Sequence, residues 1–366
     1  MIFTRIRIKN LFCFEDTEID LTYPKRISDS VIENEYLDRR PNFRFKRLCI
    51  ISGANASGKS SFGRVLCDIS NVIHKGRSFA ERRRWAVANE ELPAEVEVEF
   101  VYPLAEKLQF RTLNLRIDIK ASVYYFKYAE CPINLQDSVE SCRRKIDNLF
   151  ETKKSRGKYL YLENLDLDDY HKKWDKLHEL LHVESDPIVW LYDIADIDDT
   201  GLRSVYIDRG HKGYTDVLRR VLRTFDPSIQ KVTELFEEGD PNNVTGYRIH
   251  FPNKKRCGMN EKGELDKESS HLFSRGTHQA ISVAGFTHNL IKQMSYKDDE
   301  GNYQASGIFF LDEQMSYSHT DLEREIVNLL AQKTNAYSQF FYTTHNYDIF
   351  EMGFPLHSFV FIKREN

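Results

Sequence analysis

A chain of 366 residues, 41% hydrophobic and 30% charged, carries enough apolar material for a sizeable core and too much for a disordered polymer. Its net charge of −4 and pI of about 6.3 speak against a partner held by bulk positive charge, because phosphate contacts dominate non-specific nucleic-acid affinity. No apolar run approaches the ~20 residues that span a bilayer. Six scattered cysteines (Cys13, Cys49, Cys67, Cys131, Cys142, Cys257) form no Cys-x-x-Cys pair, which argues against zinc or a disulfide scaffold and for a reducing cytoplasm.

Met1–Lys9 alternates as a strand and lacks the apolar block of a signal peptide, and a second strand is expected near Glu15–Leu21. Residues 23–45 are polar, with Pro24 and Pro41, and read as a long loop or small insertion. The apolar run Arg47–Ser52 reads as a buried parallel strand, and Ser61–Ile73 as a helix with Val65, Leu66, Ile69, Val72 and Ile73 on one face. Ala94–Val101 alternates strictly. Leu108–Lys120 and Ser122–Tyr128 continue in that mode, which gives an antiparallel β region.

From about Asn134 to Val183, apolar residues at spacings of three and four predict amphipathic helices, broken near Lys153–Gly157. Further helices are expected over Tyr214–Thr224 and Ser228–Glu238, and a strand over Thr245–Phe251. The last hundred residues return to α/β patterning: a helix from Thr277 to Met294, a strand over Gly307–Leu311, a helix over Thr320–Gln332, and strands over Gln339–Thr343 and Ser358–Lys363. The chain divides on this reading into an N-terminal lobe (1–130), a helical insertion (131–240) and a C-terminal lobe (241–366).

Gly53-Ala-Asn-Ala-Ser-Gly-Lys-Ser60 matches G-x-x-x-x-G-K-[ST] between a strand and a helix. Backbone N–H groups of Gly53, Asn55, Ala56, Ser57, Gly58 and Ser61 suit phosphate oxygens, and Lys59 adds a point charge. The Ser60 hydroxyl suits a magnesium ion. The chain is therefore expected to bind a nucleotide, ATP, with Mg2+. Ile308-Phe-Phe-Leu-Asp312-Glu313 is an apolar strand ending in two acids, a Walker B pattern. Asp312 orders the metal shell and Glu313 polarises the attacking water. Phe340–His345 delivers a histidine beyond a strand's C-terminal edge, where it senses the γ phosphate. Ser274-Arg-Gly-Thr277 opens the helix before the Walker B strand as a second anion site or, more blandly, a serine cap.

Phosphate loop, insertion, Ser-x-Gly-Thr helix, Asp-Glu strand and histidine strand come in an order that resembles the ATP-binding-cassette ATPases of the SMC, RecF and OLD type. Ile6–Glu15 is similar to their opening strand-turn-strand, and the likeness covers residues 1–75 and 268–363. The resemblance implies a P-loop NTPase of the ABC/SMC-like head class, an α/β fold with a mixed sheet, an antiparallel β region and a helical insertion. It also implies a shared site, in which Ser274, Gly276 and Thr277 reach the triphosphate held by Lys59 of a second copy. Ser316–His319 falls where the family has its D-loop. The signature departs from Leu-Ser-Gly-Gly-Gln, no glutamine-containing Q-loop is placed, and Gln314 follows the two acids.

About twenty residues follow His345, too few for the Toprim nuclease of OLD-type proteins, and the insertion is too short for SMC-type arms. What is left looks like the stand-alone ATPases of anti-phage defence systems of the PARIS or Septu kind. That implies a homo-oligomer, dimer or higher, that controls a separate nuclease or toxin, with nucleic acid an optional partner and no membrane. A RecF-like DNA-maintenance ATPase is the alternative, and a small-molecule P-loop kinase a further one. Three basic patches bear on nucleic acid: Arg77 with Arg82, Arg83, Arg84 and Trp85; Arg219, Arg220 and Arg223; and Lys254, Lys255 and Arg256. Each reads first as a solvated face.

Overall fold

Alternation of apolar and charged residues at the start of the chain builds an antiparallel sheet. In the computed structural model, residues 1–24, 32, 35–75, 86–102, 108–121, 123–164, 170–181, 188–194, 213–295, 306–315 and 319–363 are described. β1 (Ile2–Leu11) and β2 (Phe14–Asp20) form a hairpin, and a small ribbon of β3 (Tyr36–Leu37) and β4 (Arg40–Arg44) occupies the segment expected as loop. After β5 (Leu48–Ser52) and helix α1 (Lys59–Lys75) come β6 (Ala94–Val101), β7 (Gln109–Asp118), β8 (Val123–Pro132), helix α2 (Val139–Thr152) and β9 (Leu160–Asn164). The six-stranded order is β2-β1-β6-β7-β8-β9, with antiparallel pairing throughout.

β5 is buried at every position, so both of its faces need cover. It sits in a five-stranded sheet of order β10 (Ile188–Asp193), β14 (Ser306–Asp312), β15 (Ser338–Thr344), β5 and β16 (Phe359–Phe361), each pair parallel. Where the resemblance implies a mixed sheet beside an antiparallel β region, this sheet is parallel throughout, and the antiparallel region is the separate six-stranded sheet. Period-two alternation assigns the faces. Cys49, Ile51, Ile308, Phe310 and Phe341 pack with α1 and with the antiparallel sheet. Leu48, Ile50, Phe309, Leu311, Phe340 and Tyr342 pack with α4 (Tyr214–Phe225), α5 (Arg275–Met294) and α6 (Thr320–Lys333) on the opposite face. The same second core takes in a three-stranded sheet, β11 (Lys231–Glu237), β12 (Asp240–His250) and β13 (Arg256–Asn260).

The segment 131–240, expected to be helical, supplies α2, α3 (Tyr170–Leu181) and α4, and also β9, β10 and β11, one strand for each of the three larger sheets. The helix expected over Ser228–Glu238 is β11. Its apolar residues looked helically spaced, but only Ile229 and Val232 are buried while Phe236 is exposed, and pairing with β12 decides the backbone. No helix among the described residues is long and apolar enough to cross a membrane.

Two contacts fix the layers relative to one another. The buried Gln339 amide on β15 accepts from the Phe3 N–H at 2.7 Å and donates to the carbonyls of Phe3 and Lys46, tying β1 to the parallel sheet. Gly63 on α1 lies so close to β14 that a Cβ there would stand 2.5 Å from the Phe310 ring. A glycine inside a helix costs about 1 kcal/mol against alanine, so this close approach is what the residue is for. Gly63→Val is expected to destabilise the protein by about 1–3 kcal/mol through overpacking, read as a lower urea midpoint; an unchanged midpoint contradicts the contact.

Candidate functional site

The C-terminal ends of four parallel strands meet at one edge, because Asp193 pairs with Leu311, Asp312 with Thr343, and Thr344 with Ser52. The loop 53–58 leaves β5 there. Ala56 and Gly58 both take positive φ (61° and 109°), which turns successive peptide groups inward. A Cβ on Gly58 would lie 2.7 Å from Cys13 Sγ, and one on Gly53 2.3 Å from the Ile362 carbonyl. The β1–β2 turn and the end of β16 therefore wall the loop. Ala54, Asn55 and Ala56 face solvent, Ser57 and Gly58 are buried, and Ser60 and Ser61 are half-buried at the start of α1.

Lys59 is buried beneath its own loop. Its ammonium donates to the carbonyls of Gly53 (2.9 Å) and Ala54 (3.2 Å) and stands 2.9 Å from Glu313 Oε1. Glu313 adopts φ 50°, a conformation that a side-chain-bearing residue keeps only when its surroundings impose it. The imposing contact is Thr343: the Glu313 N–H donates to the Thr343 carbonyl at 3.2 Å and to its Oγ1 at 3.1 Å. The same hydroxyl donates to Asp312, which is fully buried. His345 is partly exposed, with Nδ1 4.0 Å from Glu313 Oε2. The sequence-derived trio of Lys59, Glu313 and His345 is thus brought together across three strands.

Ser60 lies one turn nearer this edge than Gly63, and Asp312 two residues nearer than Phe310, so both stand on the edge side of the Gly63–Phe310 contact. Among the described residues no cluster of three His, Cys, Asp or Glu side chains could hold a metal alone. Two oxygen donors, a hydroxyl and a carboxylate, still fit magnesium, which takes its other ligands from phosphate and water.

Ser274 caps α5: its Oγ accepts from the Thr277 N–H at 3.1 Å and lies 2.8 Å from Thr277 Oγ1. The bland cap reading is therefore realised. Ser274 and Gly276 reach the surface, whereas Thr277 is buried, so Thr277 holds Ser274 in place and has no exposed hydroxyl to offer a ligand. One turn further on, Gln279 Nε2 donates to the Glu313 carbonyl at 3.5 Å, so α5 touches the Walker B turn of its own chain. Ser316–Ser318 of the expected D-loop, and the arginines 77 and 82–84 with Trp85, lie outside the described residues; His319 stands at the N-cap position of α6 with no side-chain capping bond.

Sequence reasoning missed Glu323. This α6 carboxylate is buried and accepts from three side chains: Tyr342 OH at 2.6 Å, Thr344 Oγ1 at 2.8 Å and Asn346 Nδ2 at 2.8 Å. Burial, above all, keeps the Tyr342 hydroxyl protonated and donating by pushing its pKa well above 10. Thr344 and Asn346 flank His345, so Glu323 is its positioning residue. The available signal was an acid on the apolar stripe of Glu323, Ile326, Val327 and Leu330. Asp193 was missed as well; it ends β10 beside the Walker B strand, and Gln314 Nε2 donates to its Oδ1 at 3.4 Å.

No family model matches the chain, and no curated protein matches it. Among solved structures, an SMC head bound to the C-terminal winged-helix domain of ScpA is similar at 13% identity, with a TM-score of 0.46, over 96% of this chain and 92% of that one.

Glu323→Ala leaves two buried donors, the Tyr342 and Thr344 hydroxyls, without this acceptor. Should this edge turn over ATP, the variant is expected to do so at least about tenfold more slowly with nucleotide affinity within about threefold of wild type, and it is expected to unfold earlier. Turnover at the wild-type rate in Glu323→Ala contradicts the positioning role.

Proposed function

We propose that this chain is a magnesium-dependent ATPase that works as a homo-oligomer and whose ATP state governs a separate effector protein in anti-phage defence. The observation that carries the catalytic part is the 2.9 Å contact between Lys59 Nζ and Glu313 Oε1, beside His345, at the edge where the phosphate loop leaves β5. ATP binds the backbone of residues 53–61. A triphosphate offers Lys59 more negative charge than one carboxylate does, and so draws the ammonium off Gly53, Ala54 and Glu313.

Released from its cation, Glu313 accepts a proton from a water molecule in line with the γ phosphorus. The water oxygen bonds to that phosphorus as the bond to the β–γ bridging oxygen breaks, and ADP and phosphate leave. His345 donates to the γ phosphate or to that water. Ser60 and Asp312 would hold the magnesium ion, which when bound neutralises charge on the β and γ phosphates.

The shared site is supported by the layering: α1 and α5 lie on opposite faces of the parallel sheet, and Ser274 and Gly276 open α5 at the surface. A second copy brings these groups to the triphosphate. Control of an effector rests on the resemblance to defence ATPases in the order of the motifs.

Lys59→Ala is expected to abolish ATP binding, and Glu313→Gln to bind ATP while turnover falls about 10²–10⁴-fold. Mixed Lys59→Ala and Ser274→Arg subunits are expected to recover part of the activity through one intact interface. Wild-type turnover in Lys59→Ala contradicts the phosphate cradle, and no recovery in the mixture contradicts the shared site.

A further inference from the structure

The outer face of the three-stranded sheet carries a charge pattern that its own stability does not explain. Its inner face is apolar, with Val232, Tyr247, Ile249, Cys257 and Met259 in the second core. On the outer face, Lys231 stands opposite His250 and His250 opposite Arg256, three basic residues in one row across three adjacent strands. Arg248 lies two residues back on β12, opposite Thr233. The turn from β12 to β13 adds Lys254 and Lys255, and it holds Lys254 at φ 62°. Lys231 and Arg256 thus flank His250 from the two neighbouring strands, each about 4.8 Å away across the sheet.

No ion pair among the described residues neutralises the row. Among the described residues, none of Lys231, Arg248, Lys254, Lys255 or Arg256 has a carboxylate within 4 Å, and all five are exposed. Two carboxylates border this face and are held by other groups: Asp266 Oδ2 accepts from the Gly258 N–H at 3.0 Å and lies where a side chain on Gly258 would be, and Glu264 Oε2 accepts from Asn260 Nδ2 at 2.7 Å. His250 reports the local field: partial burial first, then Arg256, Lys231 and Arg248, hold it below its usual pKa. It is left neutral at pH 7, its Nε2 3.0 Å from Thr233 Oγ1. In the exposed arginine group on α4, Arg219 is paired with Asp216 at 2.8 Å.

We infer that this face binds the phosphate backbone of a nucleic acid. Phosphate contacts alone supply that kind of affinity and need no apolar centre, whereas a protein partner needs a desolvated apolar core within the patch. Lys231, Thr233, Arg248, His250 and Arg256 provide cations and a hydroxyl and no such core. The acidic net charge of the chain does not oppose this, because screening confines the interaction to within about 8 Å at physiological salt. The row also borders the α5 cap: Phe251, next to His250, packs edge-on against Phe273 with centroids 5.4 Å apart, and Phe273 precedes Ser274.

The test is anisotropy titration of labelled DNA of about 30 nucleotides, single-stranded and duplex, without ATP, between about 50 and 200 mM salt. The full chain is expected to bind, and Arg248→Ala/Arg256→Ala to weaken binding at least about tenfold. That pair is also expected to make the slope of log K against log salt shallower by about 1.4–1.8. Arg220→Ala/Arg223→Ala on α4 should bind like wild type, and basal ATP turnover should be the same in all three proteins. No DNA binding by the wild type at the lowest salt, an unchanged affinity and slope in the Arg248/Arg256 variant, or capture of polyglutamate without capture of DNA each overturns the inference. Because ATP is absent, these outcomes are independent of the ATPase reading.

Discussion

Lys59 and Glu313 meet across an intervening strand. β15 lies between β5, which delivers the phosphate loop, and β14, which delivers the two acids, and the ion pair closes over it. The contact needs three supports. Thr343 on β15 takes the Glu313 N–H and holds that residue at positive φ, so its carboxylate turns back toward Lys59. Gly63 lets α1 settle onto Phe310, which sets the height of Lys59 above the sheet. Glu323 pins the β15 end, where His345 emerges, to α6. Each support comes from a different layer, so the catalytic edge is a product of the whole packing.

The pair also gives the resting protein a chemical character. With its carboxylate neutralised by an ammonium and its ammonium shared with two carbonyls, neither member is idle. As the proposed general base, Glu313 would act on water only once something more negative than a carboxylate takes Lys59 away. On the function we propose, turnover would be conditional on a correctly seated triphosphate.

Local pattern made most of this edge legible in the sequence. Ile308–Glu313 and Phe340–His345 are apolar runs that end in polar chemistry, and the loop 53–60 has fixed spacing; each declares itself within ten residues. What stayed hidden depends on register between distant segments. Gly63 looks like a weak point in a helix until Phe310, almost 250 residues on, is laid against it. Glu323 reads as an ordinary surface acid until Tyr342 and Thr344 are seen to donate to it. β10 and β11 escaped because short apolar runs flanked by helical patterns do not announce their period, and their partners β14 and β12 decide them. The cationic row was visible only as Lys254–Arg256; Lys231 and Arg248 join it through strand pairing.

The central claim, that a triphosphate displaces Glu313 from Lys59, is tested most directly by the affinity of a non-hydrolysable ATP analogue for the wild type and for Glu313→Gln, measured by calorimetry with magnesium present. Neutralising Glu313 removes the competitor for the Lys59 ammonium, so the variant is predicted to bind the analogue more tightly, by about threefold or more. Equal or weaker binding by Glu313→Gln would contradict the account.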